Sequence, residues 1–257
     1  MVYAGLIGLF VGSFLNVVIW RVPRGESVVS PRSACPVCGR QIRVRDNVPV
    51  VSWLLLRARC RDCGEPISAR YPLVELATGM AFALVVLRFG VAWPLPAYVY
   101  LSAVAIALSL IDIDVHRLPN AIVLPSYPVM VVLLALASAN PGGTSDWPAL
   151  LRAVLGGAAL FALYFALMVA KPGGMGFGDV KLAGILGGAL GWLGWGTLVV
   201  GAFGAFVVGG VFSIGLLAAG RAGRKSRIPF GPWMILGAAL GVALGERVWT
   251  GYLALFM

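Results

Sequence analysis

Continuous apolar runs of about membrane-spanning length recur from one end of this sequence to the other, and they confine it to few architectures. A helix that crosses lipid needs about 20 mostly apolar residues. Eight segments approach that length, at about 2–20, 72–90, 93–112, 121–139, 148–170, 180–195, 197–220 and 229–245. The sixth and eighth are shorter and rich in glycine. A spanning β-barrel would instead show short segments of alternating polarity, and these runs are unbroken, so helices are expected. The predicted fold is therefore an all-α polytopic membrane protein of about eight transmembrane helices. Its 34 glycines suit close helix contacts, with small residues four apart at Gly187 and Gly191 and at Gly201 and Ala205.

The formal net charge of +10 would suit nucleic acid, but its distribution excludes that partner and points to a lipid bilayer. Residues 21–72 hold ten of the 20 Lys and Arg, and Arg221, Arg224, Lys225 and Arg227 form a second cluster. Arg117, Lys171 and Lys181 stand beside two further turns, whereas the loops near 91–92, 139–147 and 194–197 carry no Lys or Arg. Basic loops thus alternate with uncharged ones, as expected when basic loops stay in the cytoplasm. The N-terminus and C-terminus are predicted outside, with loops 21–72, 113–120, 171–179 and 221–228 inside. Arg88, Arg152 and Arg247 lie on the other side of that pattern. The first run has no basic residue before it and no small-residue cleavage site after it, so it reads as a retained helix and not a signal peptide.

Three regions follow: a first transmembrane helix at 1–20, a polar insert at 21–71, and a helical bundle at 72–257. Pro119, Pro172 and Pro229 fall where helices start or stop. No internal repeat is evident. All four cysteines lie in the insert, as Cys35-Pro-Val-Cys38 and Cys60-Arg-Asp-Cys63. Gly39 and Gly64 follow the two pairs, a position at which backbone N–H groups can turn toward thiolates. Four thiolates suit tetrahedral Zn²⁺ with no open position, a structural site. A disulfide pairing is disfavoured by the reducing cytoplasm, and a redox-active pair by the presence of two matched ones. The insert is too small for a large apolar core, so a metal would staple it. Its stretch Asp46-Asn47-Val48-Pro49-Val50-Val51-Ser52-Trp53 reads as a helix lying on the membrane or on the bundle.

Two aspartates stand at the edges of apolar runs. Asp112 ends LSAVAIALSLID, and Asp179 closes GGMGFGD before the sixth run. A carboxylate at mid-bilayer costs roughly 2.5–3.5 kcal/mol on insertion scales, so such residues point to function. Both lie beside polar turns on the same predicted side. Two carboxylates about 4 Å apart would interact by about 4 kcal/mol at an effective dielectric near 20. A pair sharing one proton has an ionised member to activate water and a neutral one to protonate the scissile carbonyl or leaving amine. Gly176 and Gly178 would let a substrate strand approach Asp179 closely. Spacing alone leaves another reading open, in which the two acids are solvated helix ends or pair with Arg117 or Lys181. Asp114 rivals Asp112, since residues two apart on a helix face differently. Glu75 is a further buried acid. His116, the only histidine, has no nucleophile motif beside it, and no G-x-S-x-G elbow occurs.

Several stretches together resemble one family. Gly12-Ser13-Phe14-Leu15-Asn16-Val17-Val18-Ile19 in the first run, the two cysteine pairs, Asp46-Asn47-Val48-Pro49 and Arg70-Tyr71-Pro72-Leu73-Val74-Glu75-Leu76 come first. Ile111-Asp112, Leu118-Pro119-Asn120, Gly173 through Leu182 and Ile228-Pro229-Phe230-Gly231-Pro232 follow in order. The chain resembles the bacterial type IV prepilin peptidases, membrane aspartic proteases of the GxGD kind. The resemblance implies an enzyme of the bacterial inner membrane. It would cleave leader peptides from prepilins or pseudopilins after a glycine, at the cytoplasmic face. It also implies that Asp112 and not Asp114 is the first catalytic acid, and Asp179 the second. Members that keep the four-cysteine insert are similar to bifunctional ones that N-methylate the new terminus with S-adenosylmethionine. No Gly-rich Rossmann-like fingerprint for that cofactor is visible. A reading from a different class is a helical transporter with Asp112 and Asp179 as a proton relay. A third is a non-catalytic assembly partner of a pilus or secretion machine.

Overall fold

A computed structural model describes residues 1–171, 173–221, 223 and 228–256. Among these, nine α-helices form: α1 (Val2–Arg21), α2 (Val51–Leu55), α3 (Arg70–Phe89), α4 (Leu95–Val115), α5 (Asn120–Ala139), α6 (Trp147–Ala170), α7 (Phe177–Leu193), α8 (Trp195–Ala218) and α9 (Gly231–Leu253). Apart from the five-residue α2, each helix falls on one of the predicted runs. Six of them (α1, α3, α4, α5, α6 and α8) are long and apolar enough to cross a membrane, which makes this a multi-pass membrane protein. No strand forms among the described residues, only two isolated bridges in the insert. Of the basic cluster after α8, Arg224, Lys225 and Arg227 lie outside the described residues, as does Pro172.

Boundaries differ from expectation where apolarity and helicity part company. α4 continues past Asp112 to Val115, so Asp112 and Asp114 are both helical. α7 begins at Phe177, which puts Asp179 in its first turn and not in the preceding loop. α9 runs eight residues past the predicted limit of 245, through Glu246 and Arg247. Both are good helix formers, so a helix leaving an apolar layer has no reason to stop at them.

The chain divides into two compact units, Met1–Ala107 and Leu108–Met257. In the first, α1 packs on α3 through glycines. A Cβ on Gly8 would meet Gly79 Cα at 2.7 Å, and one on Gly12 would meet Glu75 Cα at 2.7 Å. Backbones this close need small residues on both sides, the usual means of helix association in lipid. In the second unit the same device joins α6 to α7 and α8 to α9. A Cβ on Gly187 would come within 2.5 Å of the Gly156 carbonyl oxygen, and one on Gly191 within 2.6 Å of that of Arg152. A Cβ on Gly241 would meet Gly201 Cα at 2.8 Å. These contacts fix α7 and α9, the two helices whose first turns build the site described next.

Candidate functional site

Asp112 lies near the end of α4 and is 5% exposed. Its Oδ2 accepts the backbone N–H of Gly231, the first residue of α9, at 3.1 Å. That N–H belongs to a helix start and has no partner within its own helix, so the carboxylate satisfies a donor that would otherwise be orphaned. The approach depends on glycine, because a Cβ at 231 would stand 2.8 Å from the same oxygen. Asp114, two residues on, is exposed. The helix thus separates the two rivals, turning one inward and the other out.

Asp179 is half-buried in the first turn of α7. Its Oδ2 accepts the N–H of Gly176 at 3.0 Å, and its own N–H donates to the Gly176 carbonyl at 3.0 Å. This is half of a capping box: the acid reaches back to the N-cap amide, and glycine has no side chain to return the bond. Asp112 and Asp179 both border Leu118, the one through Gly231 and the other through Gly178. Neither forms an ion pair among the described residues. The Lys181 ammonium donates instead to Asn120 Oδ1 and lies 5.1 Å from the Phe177 ring centroid.

The turn between α4 and α5 holds these parts together. Leu118 is buried between two glycines of the motifs: a Cβ on Gly178 would meet its Cβ at 3.0 Å, and one on Gly231 its Cδ2 at 3.6 Å. Asn120 opens α5 and takes the Lys181 bond, and Tyr127 Oη donates to the Lys181 carbonyl at 2.6 Å. Tyr164 of α6, 2% exposed, packs on Phe230, whose neighbour Gly231 holds Asp112. Sequence reasoning assigned no role to the Gly231 amide, to Leu118 or to the Lys181–Asn120 bond. The signal was present in Leu118-Pro119-Asn120 and Pro229-Phe230-Gly231-Pro232, short turn motifs in a chain otherwise poor in polar detail.

Glu75 sits in the other compact unit, 8% exposed in α3, where its Oε2 accepts the Val50 N–H at 2.7 Å. A buried carboxylate with that partner ties the insert to α3, which gives it a structural occupation.

The four cysteine sulfurs lie within 4.8 Å of one another, and those of Cys35 and Cys63 are 3.8 Å apart. Two similar knuckles bring them there. Gly39 N–H bonds the Cys35 carbonyl and Gly64 N–H that of Cys60, each at 2.9 Å, with φ of +70° and +76°. Such angles are natural to glycine and strained in other residues. Bridges Ala34–Gln41 and Arg59–Pro66 close the two turns. The backbone N–H groups of Cys38 and Val37 bring the Cys35 thiol down to about 7. At Cys63 the Glu65 N–H pulls the same way, but desolvation and the three neighbouring sulfurs outweigh it and push the thiol up to about 12. Four sulfurs so close cannot all be thiolates without a cation between them. The cluster is a donor set able to hold a metal ion.

Comparison with known proteins gives a consistent pattern. Residues 6–89 match the model of the bacterial peptidase A24 N-terminal domain, and residues 99–214 that of the type IV leader peptidase family. The prepilin leader peptidase/N-methyltransferase of Stutzerimonas stutzeri is 35% identical over 273 residues, which cover 96% of this chain and 92% of that protein. Its namesake from Myxococcus xanthus is 45% identical over 164 residues, covering 64% of this chain and 46% of the relative. An Escherichia coli type 4 prepilin-like proteins leader peptide-processing enzyme is 49% identical over 138 residues, 46% of this chain and 51% of the relative. The chain thus spans about half the length of the latter two. No solved structure matches. Nothing in these relatives supports the transporter reading.

Proposed function

Because the chain belongs to the type IV leader peptidase family, we propose that it is a membrane aspartic endopeptidase. Its substrates are prepilins or pseudopilins, cut after the glycine that ends their leader, at the cytoplasmic face of a bacterial inner membrane. Asp112 and Asp179 are the catalytic pair. The first helix at 1–20, the insert at 21–71 and the bundle at 72–257 are its functional regions. Its N-terminus faces outward, and the insert and aspartates face the cytoplasm.

The observation that carries this reading is the pair itself. Two acids in one compact unit each have one oxygen pinned by a backbone N–H, at 3.1 Å and 3.0 Å, and Leu118 lies against both Gly231, which holds Asp112, and Gly178, which precedes Asp179. Each therefore keeps its second oxygen for substrate or water. One carboxylate takes a proton from water, whose oxygen attacks the scissile carbonyl carbon. The other, protonated, gives its proton to the carbonyl oxygen. Collapse of the tetrahedral intermediate expels the amine, which leaves with a proton from the pair. Gly176, exposed and without a side chain, leaves that flank of Asp179 open to an extended peptide, while the side-chain position of Gly178 is taken by Leu118.

Zinc is the metal proposed for Cys35, Cys38, Cys60 and Cys63. A tetrahedron with Zn–S of about 2.3 Å has edges of about 3.8 Å, which is the Cys35–Cys63 sulfur separation. With four thiolates no coordination position is left open, so its part is to hold the insert's shape. A second activity, N-methylation of the new terminus with S-adenosylmethionine as donor, is proposed from the names of the relatives.

The test is cleavage of a prepilin-type peptide by the full chain in proteoliposomes. Asp112→Asn and Asp179→Asn should each lose roughly 10³-fold in rate, as removal of an acid–base group does, while Asp114→Asn stays near wild type. Normal cleavage by both Asn variants sinks the pair. With S-adenosylmethionine added, the cut product should gain the mass of one methyl group.

A further inference from the structure

The insert carries a short apolar element that the peptidase reading leaves without work. In α2, Ser52 is buried, its Oγ accepting the Val48 N–H at 2.9 Å and donating to the Arg45 carbonyl at 3.1 Å. Trp53 Nε1 donates to the Ile67 carbonyl at 3.0 Å. These two residues hold α2 to the insert by one side. On the other, Val51, Leu54 and Leu55 are 49%, 61% and 77% exposed.

The depth of α2 follows from its tether. The Val50 N–H is bound by Glu75, five residues into α3, beside the point where Gly12 of α1 meets that helix. Five residues of helix rise about 7.5 Å, and long helical side chains lean back toward the N-terminus. Val50 therefore lies within about one turn of the start of α3. Exposed Tyr71, at the start of α3, marks that level, and exposed Trp20 of α1 lies about one turn beyond it, since Asn16 is the α1 residue that bonds the Tyr71 carbonyl. Such aromatic residues favour the boundary between headgroups and acyl chains.

The charges complete the pattern. Arg40 and Arg43 both bind Asp62, at 3.2 and 3.0 Å, and Arg61 binds Asp46 at 2.7 Å. Arg57 and Arg59 follow α2 directly, are exposed, and have no ion pair among the described residues. The backbone reverses there, with φ of +51° at Arg57 and +57° at Ala58, and the Ala58 N–H closes α2 on the Trp53 carbonyl at 2.8 Å. Three outward apolar side chains at the acyl boundary, followed by two free guanidinium groups, match a layer of lipid phosphates above hydrocarbon. We propose that α2 with Arg57 and Arg59 is an interfacial anchor that binds anionic phospholipid and holds the insert down on the bilayer. This inference stands apart from the peptidase reading and does not depend on it.

Hydrogen–deuterium exchange of the full chain tests it, in nanodiscs of phosphatidylcholine alone or mixed with phosphatidylglycerol. Each basic group near an anionic surface contributes a factor of about five, so with Arg57 and Arg59 together amides 51–58 should exchange roughly 25-fold more slowly in the mixed lipid. Arg57→Gln with Arg59→Gln should erase that difference. Arg40→Gln with Arg43→Gln, the same change of charge, should keep it. Leu54→Ser with Leu55→Ser should speed exchange in both lipids while amides 60–67 stay protected. If those amides lose protection too, Leu55→Gln alone serves in its place. Equal wild-type exchange in the two lipids overturns the proposal. So does protection that arises only on adding a prepilin-type peptide, which would make α2 a substrate dock.

Discussion

Gly231 offers its amide to Asp112 across 119 positions of sequence, and nothing larger than a hydrogen fits on its Cα without crowding that carboxylate. Gly231→Ala should therefore lower the cleavage rate by roughly 10- to 100-fold, the worth of a charge-assisted hydrogen bond. The chain should stay folded, because the new methyl group meets a side chain and not a packed helix backbone. Steady-state cleavage beside a thermal melt in detergent separates the two effects. At this scale the sequence exposed the acids but not their donors. Asp112 and Asp179 stand out because carboxylates at the edge of lipid are costly. The Gly231 amide and the Leu118 wedge are set by tertiary approach, and no local pattern of residues announces them. The choice between Asp112 and Asp114 rested on resemblance. The helix now gives it a physical ground, one residue buried and the other exposed.

Within single elements, the two knuckles behave as copies of one turn, set 25 positions apart from Cys35 to Cys60. Their spacing was legible because a chelating turn needs a fixed number of residues and a glycine at positive φ. Metal binding requires thiolates, which fixes the sign of the pH effect. Cys35, at about 7, is largely deprotonated above neutrality, whereas Cys63, near 12, must release its proton to solvent as the metal binds. Apparent zinc affinity should accordingly rise at least tenfold between pH 6 and pH 8, with net proton release, in competition against a chromogenic chelator. A pH-independent affinity would argue against four thiolate ligands. The first turn of α7 was harder to read. Gly176-Phe177-Gly178 looks like loop, but Asp179 supplies the cap that lets helix begin among glycines.

For the molecule as a whole, the apolar runs placed the long helices because hydrocarbon leaves the backbone no other partner than itself. Which helices pair was not legible. Glycines four apart announce a close face, but whether Gly187 meets α6 or α8 is decided by contacts such as that with Gly156. The basic loops are read as a consequence of topology and not as a lure for substrate, since they alternate with loops that carry no Lys or Arg. Replacing Arg43, Arg45, Arg57 and Arg59 together with Gln should leave cleavage within about threefold of wild type, the scale of weak surface charge effects. Total loss of cleavage by a folded variant, measured in the same proteoliposomes, would refute this. The knuckles have a last consequence, for the tether joining α1 to α3. Closing them cuts the free length of that connection roughly in half, which eases the meeting of its ends by only about 0.6 kcal/mol. The interlocked glycines of Gly8, Gly12 and Gly79 owe little to that shortening. A chain stripped of its metal should thus keep α1 on α3 while the connection between them unravels.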